Sequence, residues 1–453
     1  MTKVLWIKKG LVFIDDRFQE VDIKIIDGKI DSLHPSVAVP LQEKAATTID
    51  ASGCLVVPGF IDAHVHFNDP GRTDWEGMET GSRAAAKGGT TTIFDMPLNS
   101  SPSVTNVTTL REKKEYLSSL ASVDYALWGG ITETNLTNHS ELEEMSSGII
   151  AWKAFMSESG IADFPFVSPG GLEQAMQTAK DHHKILALHA EWEEEIARLT
   201  VQYQTAKGSE GRQAFLASRP ISAEEKAVSH GLELAAKYGT AVHFVHISSA
   251  RIIGLIDQAK KSGVNVTVET CPHYLLFDEI DFLEKGALLK CCPPLRPRSE
   301  VEGLWDCLKN GLIDTIGSDH SPCLYSMKLT PSIWEAWGGI QGVQFTWLAL
   351  IDEALRRNIQ LSEIVPLGTA RVADRFGIAD RKGRLLPGLD ADVVLIRLDE
   401  TTLATKESFA FRNQYSPYEN KEFLLRVKKT ILRGNVIFDD EENRIIEKYG
   451  REL

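Results

Sequence analysis

The sequence predicts an α/β fold, a TIM-like (β/α)8 barrel joined to a small β-sandwich domain that both chain termini build. Three observations favour it: eight short apolar runs in the middle of the chain, helix-rich stretches between them, and strand-like segments at each end. The 453 residues are enough for one large domain and one smaller one. A hydrophobic fraction of 43% supplies a sizeable core.

The two ends of the chain share a pattern of alternating apolar and polar side chains punctuated by glycine. Near the start it covers Val4–Ile7 and Val21–Ile25, and near the end Gly388–Ile396 and Val427–Ile437. A period of two predicts short β-strands. Neither end can bury a core alone, so we expect the two to pair in one small domain.

The middle of the chain repeats an apolar run followed by a stretch rich in Ala, Leu, Glu and Lys. The runs are Val56–Phe67, Thr90–Met96, Asp124–Gly130, Ile149–Met156, Ile185–Ala190, Ala241–Ile247, Asn265–Thr270 and Ile313–Asp319. Buried parallel strands have such continuous apolar runs, and strand–helix alternation implies right-handed crossovers. Eight units favour a closed barrel. No GxGxxG turn follows the first run, which disfavours a doubly wound sheet.

These patterns predict two domains. The β-sandwich would take residues 1–55 and 385–453, and the barrel residues 56–384.

Composition excludes several classes of partner. The net charge of −14 repels phosphate backbones and anionic lipid, so we expect neither nucleic acid nor a membrane surface as a partner. No run approaches the ~20 apolar residues that cross a bilayer, and the first ten residues lack the apolar run and small-residue cleavage site of a secretory signal, so we expect none. The six cysteines lack a CxxC pair and are interpreted as thiols of a cytoplasmic protein.

Polar side chains stand in or at the ends of several apolar runs. The first run contains Asp62–His66, whose two imidazoles share a face because strand residues i and i+2 point the same way. Lys153 lies inside the fourth run, and His189, His246 and Asp319 lie near the ends of the fifth, sixth and eighth. The C-terminal ends of barrel strands converge on one mouth. The sequence therefore predicts one pocket containing His64, His66, Lys153, His189, His246 and Asp319.

Such a set indicates a metal centre. Four neutral imidazoles and a carboxylate suit zinc or a similar divalent ion, and two ions fit this many ligands better than one. Burial should lower the pKa of Lys153 and leave a neutral amine. Reaction with carbon dioxide would turn that amine into an anionic carbamate able to bridge both ions, although spacing alone does not reveal the modification.

A structural interpretation competes for each residue taken singly. A lone strand histidine is more often packed in the core than bound to a metal, and Lys153 alone would suit a side chain whose amine reaches solvent. The occurrence of several such residues at different strand ends favours ligation. His273 and His320 stay open between support of the ligands and simple packing.

These residues resemble the cyclic amidohydrolases, a family of allantoinases, hydantoinases (dihydropyrimidinases) and dihydroorotases. The resemblance spans nearly the whole chain and includes Pro58–His66, Lys153, the two later histidines, Ser318–Pro322 and Lys382–Asp392. It implies a TIM-like barrel with a β-sandwich, a binuclear centre and a homotetramer.

The resemblance also implies a role for each ligand. His64 and His66 would bind the more buried ion, and His189 and His246 the other. Lys153, carboxylated to N6-carboxylysine, would bridge the two ions. Asp319 would bind an ion and act as the general base and acid. Two dications would lower the pKa of a shared water towards ~7 and polarise the ring carbonyl.

Three departures separate this chain from two branches of the family. Dihydroorotases have an Arg two residues after the second histidine, where this chain has Asn68. Hydantoinases have a Tyr five residues after the bridging lysine, where Glu158 stands, and tend to have a Ser at the position of Cys292. Both branches nevertheless remain alternatives, as does a non-catalytic scaffold of the same fold.

Three loop segments resemble the allantoinase branch instead. They are Asp69–Gly81, Asp95–Asn99 and Trp334–Gly342. Their joint occurrence favours a cyclic ureide substrate, allantoin, opened to allantoate. Loops after strand ends form the rim of a barrel pocket, so Asn99, Cys292 and Gly338 are the predicted substrate contacts.

Overall fold

The computed structural model describes residues 2–36 and 47–453. Residues 37–46, part of the predicted terminal domain, lie outside the described residues. The first strands are β1 Val4–Ile14, β2 Arg17–Ile26, β3 Lys29–Pro35, β4 Thr47–Asp50 and β5 Leu55–Pro58. β1 and β2 form an antiparallel hairpin, and β4 and β5 run parallel to β1.

The second group of strands forms the barrel. They are β6 Phe60–Val65, β7 Thr90–Asp95, β8 Asp124–Gly130, β9 Ala151–Phe155, β10 Leu186–His189, β11 Val242–Phe244, β12 Val266–Thr270 and β13 Thr315–Ile316. Consecutive strands are parallel neighbours from β6 to β13. A bridge between Val65 and His320, with a 2.8 Å hydrogen bond from the His66 amide to the His320 carbonyl, nearly closes the ring. The predicted barrel is confirmed.

The last strands complete the terminal sheet. They are β14 Val393–Arg397, β17 Arg426–Leu432, β18 Asn435–Asp439 and β19 Arg444–Ile445, whereas β15 Thr402–Leu403 and β16 Glu422–Phe423 pair with each other in a separate two-stranded sheet. Nine strands from both ends form one mixed sheet in the order β19-β18-β17-β14-β5-β1-β2-β3, with β4 beside β1. The predicted domain of paired termini therefore takes the form of a mixed sheet. Its residue boundaries stay a prediction.

Helices cover the barrel between its strands. The α-helices are α1 Met78–Lys87, α2 Val107–Leu117, α3 His139–Ser146, α4 Pro169–Asp181, α5 Glu193–Tyr203, α6 Gly208–Ser218, α7 Ile221–Tyr238, α8 Ala250–Lys261, α9 Pro272–Leu276, α10 Glu279–Lys285, α11 Arg298–Lys309, α12 Thr346–Arg356, α13 Leu361–Ile364 and α14 Ala370–Arg375. Short 3₁₀ turns cover Gly286–Leu289, Tyr325–Lys328, Val365–Gly368 and Lys406–Ser408. Across the described residues, no helix is both long and apolar enough to span a bilayer.

The first apolar run is two strands rather than one. Its continuous pattern over Val56–Phe67 predicts a single unit, but β5 pairs in the terminal sheet and β6 opens the barrel. The break falls at Gly59, where a Cβ would come within 2.2 Å of the Thr91 hydroxyl oxygen. A side chain at this position would clash with Thr91 of β7, so glycine fits where the chain passes from β5 to β6.

Candidate metal centre and active site

All six predicted ligands line one cavity of about 420 Å³ at the C-terminal mouth of the barrel. His64 and Lys153 lie within strands β6 and β9, and His189 ends β10. His246 and Asp319 follow β11 and β13 closely, on backbone with φ of 43° and 45°. Non-glycine residues seldom adopt this conformation, and such strain clusters at functional sites.

His64, His66 and Asp319 form the tightest group. The His64 Nε2 lies 3.2 Å from Asp319 Oδ1, and the His66 Nε2 lies 3.4 Å from the same oxygen. All three side chains are buried, and their ligand atoms lie within 4.8 Å of one another. This group could hold a divalent ion.

Hydrogen bonds behind the two histidines set which ring nitrogen faces the group. Glu269 Oε1 lies 2.7 Å from His64 Nδ1, and the Leu98 carbonyl lies 3.2 Å from His66 Nδ1. Each Nδ1 therefore carries the proton, and each Nε2 keeps its lone pair for a metal. Glu269 was not among the predicted site residues, although a carboxylate inside the seventh apolar run was a signal.

His189 and His246 form a second pair. His189 Nδ1 lies 3.0 Å from His246 Nε2, and the two ring centroids are 4.7 Å apart. His189 Nε2 lies 2.8 Å from Glu191 Oε2, which in turn accepts a 2.5 Å hydrogen bond from Arg219 Nη1. Glu191 thus directs His189 Nδ1 towards His246. Neither this carboxylate nor its arginine was among the predicted site residues.

Charge favours ligation at these histidines. Burial lowers the pKa of His64, His189 and His246, so their imidazoles are neutral and have lone pairs to offer. Burial tends to raise the pKa of Glu191, but Arg219 and the other partners outweigh it and the pKa falls to about 2. The carboxylate behind His189 is therefore an anion at neutral pH.

Lys153 is fully buried in the wall of the same cavity. Its Nζ has no hydrogen-bond partner within the described parts of the chain, and burial lowers its pKa to about 8. An amine that is buried without a partner costs free energy. A carbamate bound to two ions would remove that cost, so the residue fits a binuclear centre.

The three predicted substrate contacts, Asn99, Cys292 and Gly338, also line the cavity. Glu158 lines it as well, at the place where hydantoinases have their tyrosine. Asn68 does not: it is buried, and its side-chain amide donates to the Pro322 carbonyl at 3.3 Å.

Two loops that resemble those of allantoinases in sequence touch in space. The Trp75 and Trp337 rings pack edge to face, with centroids 4.9 Å apart. Trp337 also lines the cavity. The contact joins the loop after β6 to the loop that follows β13.

Three further histidines lie off the cavity wall. His320 Nδ1 accepts from the Gly342 amide at 3.1 Å, which supports the loop beside Asp319. His273 is buried in α9. His243 is buried in β11, with its Nδ1 2.8 Å from the Thr267 hydroxyl and its Nε2 3.7 Å from Glu269 Oε2.

Comparisons with known proteins show the family to which the chain belongs. Residues 55–437 match the model of the amidohydrolase family. The chain is 41% identical over 443 residues to an allantoinase of Deinococcus radiodurans, covering 98% of this chain and 97% of that protein. It is 42% identical over 422 residues to an allantoinase of Bacillus velezensis, covering 93% and 91%.

Solved structures show the same architecture. The L-hydantoinase (dihydropyrimidinase) of Arthrobacter aurescens superposes with a TM-score of 0.94 at 30% identity, covering 100% of this chain and 99% of that one. The dihydropyrimidinase of Brevibacillus agri gives 0.90 at 28% identity, covering 100% and 98%. Fold and cavity together are those of a barrel hydrolase with a buried group that could hold a metal. The chain belongs to the amidohydrolase family, and it is a cyclic amidohydrolase similar to allantoinases.

Proposed function

We propose that this enzyme hydrolyses the ring amide of allantoin to give allantoate. The observation that carries the proposal is the similarity to two allantoinases over more than 90% of the chain. The loop segments whose sequences resemble those of allantoinases also meet beside the cavity, where Trp75 and Trp337 pack together. The hydantoinase of Arthrobacter aurescens shares the architecture. The cavity of this chain is lined by Glu158 and Cys292, at the positions where the sequence resemblance implies a Tyr and a tendency to Ser in hydantoinases.

The centre would hold two divalent ions, with zinc as our choice of metal. His64 and His66 would bind one ion, and His189 and His246 the other. Carboxylated Lys153 would bridge them, and Asp319 would complete the set. When bound, the ions supply a water of lowered pKa and polarise the ring carbonyl.

Asp319 is the proposed general base and acid. Its carboxylate lies at the mouth of the cavity, within 3.4 Å of two histidine nitrogens, where a nucleophilic water would stand. Oδ accepts a proton from that water as oxygen bonds to the ring carbonyl carbon. The ring C–N bond then breaks, and Asp319 returns the proton to the departing nitrogen. The carbonyl carbon stays in the opened chain as a carboxylic acid, which ionises to a carboxylate, and the nitrogen becomes the NH2 end of a second ureido group.

A substrate panel tests the proposal. The metal-loaded enzyme is assayed separately with allantoin, dihydrouracil, hydantoin and dihydroorotate, and the kcat/KM values are compared. We expect allantoin to exceed each of the others. A marked preference for dihydrouracil or hydantoin would mean that allantoin is not the substrate. The class of reaction, hydrolysis of a cyclic amide, would stay the same.

Metal analysis separates the enzyme from a scaffold of the same fold. We expect near two ions per chain in the purified protein, because all six ligand positions are filled. A chain without bound metal, and without activity after zinc is added, would favour the scaffold.

We also propose a cytoplasmic homotetramer, which fractionation and sedimentation would test.

A further inference from the structure

Arg219 stands in the wall of the cavity and is held at two points. Its Nη1 donates to Glu191 Oε2 at 2.5 Å. Its main-chain carbonyl accepts from Arg296 Nη1 at 2.6 Å, between helices α6 and α7. Arg296 is in turn paired with buried Glu224 at 3.1 Å. The guanidinium is therefore fixed in place before any substrate enters.

Part of the Arg219 guanidinium makes no hydrogen bond to the described residues. An arginine side chain has five N–H donors in a rigid fork. Within residues 2–36 and 47–453, Nη1 bonds to Glu191, and Nε and Nη2 have no hydrogen-bond partner. The side chain keeps 14% of its surface exposed, and it lines the cavity. Donors that are held rigidly at a cavity wall are suited to bind an acceptor on a ligand.

Charge decides what kind of acceptor fits. Glu191 already neutralises Arg219, so the pair has no net charge to offer a second carboxylate. Lys290 adds one positive charge to the wall, and its Nζ donates to the Ala336 carbonyl at 2.6 Å. Glu158 and Glu335 also line the cavity and would repel an anion. A neutral carbonyl oxygen matches these surroundings better than a carboxylate.

The distance between Arg219 and His189 places the free donors of Arg219 beside the proposed metal centre rather than within it. Two hydrogen bonds, of 2.8 and 2.5 Å through Glu191 Oε2, separate the His189 ring from the guanidinium. A small heterocycle with its amide at Asp319 would therefore bring a short side group to Arg219.

We propose that Arg219 is a specificity-determining residue that donates from Nε and Nη2 to the carbonyl oxygen of the substrate's exocyclic ureido group. The inference rests on the proposed function, because allantoin has this group and hydantoin is the same ring without it. Arg219 would then select cyclic ureides with a neutral side-chain carbonyl.

The test compares the two substrates in the metal-loaded Arg219→Lys variant. Lysine keeps a cation for Glu191 and loses the planar fork. Loss of a charge-assisted hydrogen bond should lower kcat/KM for allantoin by about 10- to 100-fold, mainly through KM. The kcat/KM for hydantoin and the metal content should stay within about twofold of wild type. Arg212→Lys is the matched control, because Arg212 donates to the Leu283 carbonyl and does not line the cavity.

A double variant keeps the test decisive if Arg219→Lys does not fold. Glu191→Gln with Arg219→Met leaves neither buried charge alone. It is assayed at saturating metal, and its ratio of kcat/KM for allantoin to kcat/KM for hydantoin is compared with the wild-type ratio. We expect this ratio to fall by about 10- to 100-fold, because the charge-assisted hydrogen bond to allantoin is lost.

Two results would overturn the inference. Equal losses for both substrates, with a fall in metal content, would mean that Arg219 acts only through Glu191 and His189. Unchanged turnover of allantoin would mean that it makes no contact with the substrate. Failure of the proposed function looks different, because the wild-type enzyme would then open hydantoin and not allantoin.

Discussion

At the residue scale, two buried carboxylates orient the histidines of the site. Glu269 faces His64 Nδ1, and Glu191 faces His189 Nε2. The first histidine therefore offers Nε2 to an ion, and the second offers Nδ1. Carboxylates in such positions hold the ring and raise its basicity as a ligand.

Replacing Glu269 with Gln should weaken metal binding by about 10- to 100-fold, because the amide supports His64 without a negative charge. Competition with a chelator measures the affinity directly. Glu233→Gln is the control, since that side chain is 78% exposed on α7. An unchanged metal affinity in Glu269→Gln would contradict the role given to Glu269.

Asp319→Asn should keep its metal and lose most of its turnover, by about a hundredfold or more in kcat, because the amide cannot take up a proton. The metal content and kcat of the same folded preparation are measured together. Full activity in a metal-replete variant would refute the role of base.

At the element scale, two buried lysines hold the loop that forms one side of the cavity. Lys328 Nζ donates to the Trp337 and Gly339 carbonyls at 2.8 and 2.7 Å. Lys290 Nζ donates to the Ala336 carbonyl at 2.6 Å. The loop carries its cavity residues on irregular backbone, so these bonds replace the support that a helix or strand would supply.

Lys328→Met should loosen this loop and raise KM several-fold, with kcat and metal content close to wild type, because the ligands lie on other elements. Limited proteolysis should then cut within 325–339 sooner than in the native enzyme. Lys309→Met, at the exposed end of α11, serves as the control. Wild-type KM and cleavage rate in Lys328→Met would show that the loop needs no such anchor.

At the scale of the whole molecule, one buried lysine joins the barrel to the terminal sheet. Lys382 Nζ lies 2.7 Å from Asp124 in β8, 3.0 Å from Asp390 and 2.7 Å from Asp392 just before β14. Arg433, beyond β17, pairs with Asp124 as well. The two cations and the three carboxylates therefore pair with one another across the junction of the two sheets.

Lys382→Met should destabilise the fold by about 3–5 kcal/mol, because it leaves buried carboxylates without their cation. Urea unfolding measures the change. Lys29→Met is a matched control: Lys29 lies 3.5 Å from the same Asp390 but is 56% exposed, so its loss should cost about 1 kcal/mol or less. Equal losses in the two variants would contradict a structural role for the buried cluster.

Local signals in the chain were enough to predict the barrel, the pairing of the termini and the six candidate ligands. Continuous apolar runs, and polar residues where those runs end, carry this information. These local signals predict the ends of individual strands less well. The pattern of Val427–Ile437 is strand-like throughout and does not say where one strand ends; the segment forms β17 and β18, because Arg433 and Gly434 adopt positive φ and turn the chain.

The groups that stand behind the ligands became visible only once the chain was folded. His64 and Glu269 are 205 residues apart in sequence, and no periodicity links them. The same holds for Arg219, which follows α6 and gave no signal until folding brought it to Glu191. Local pattern encodes which face a residue occupies, whereas the partner that it meets there depends on how distant strands are arranged around the barrel.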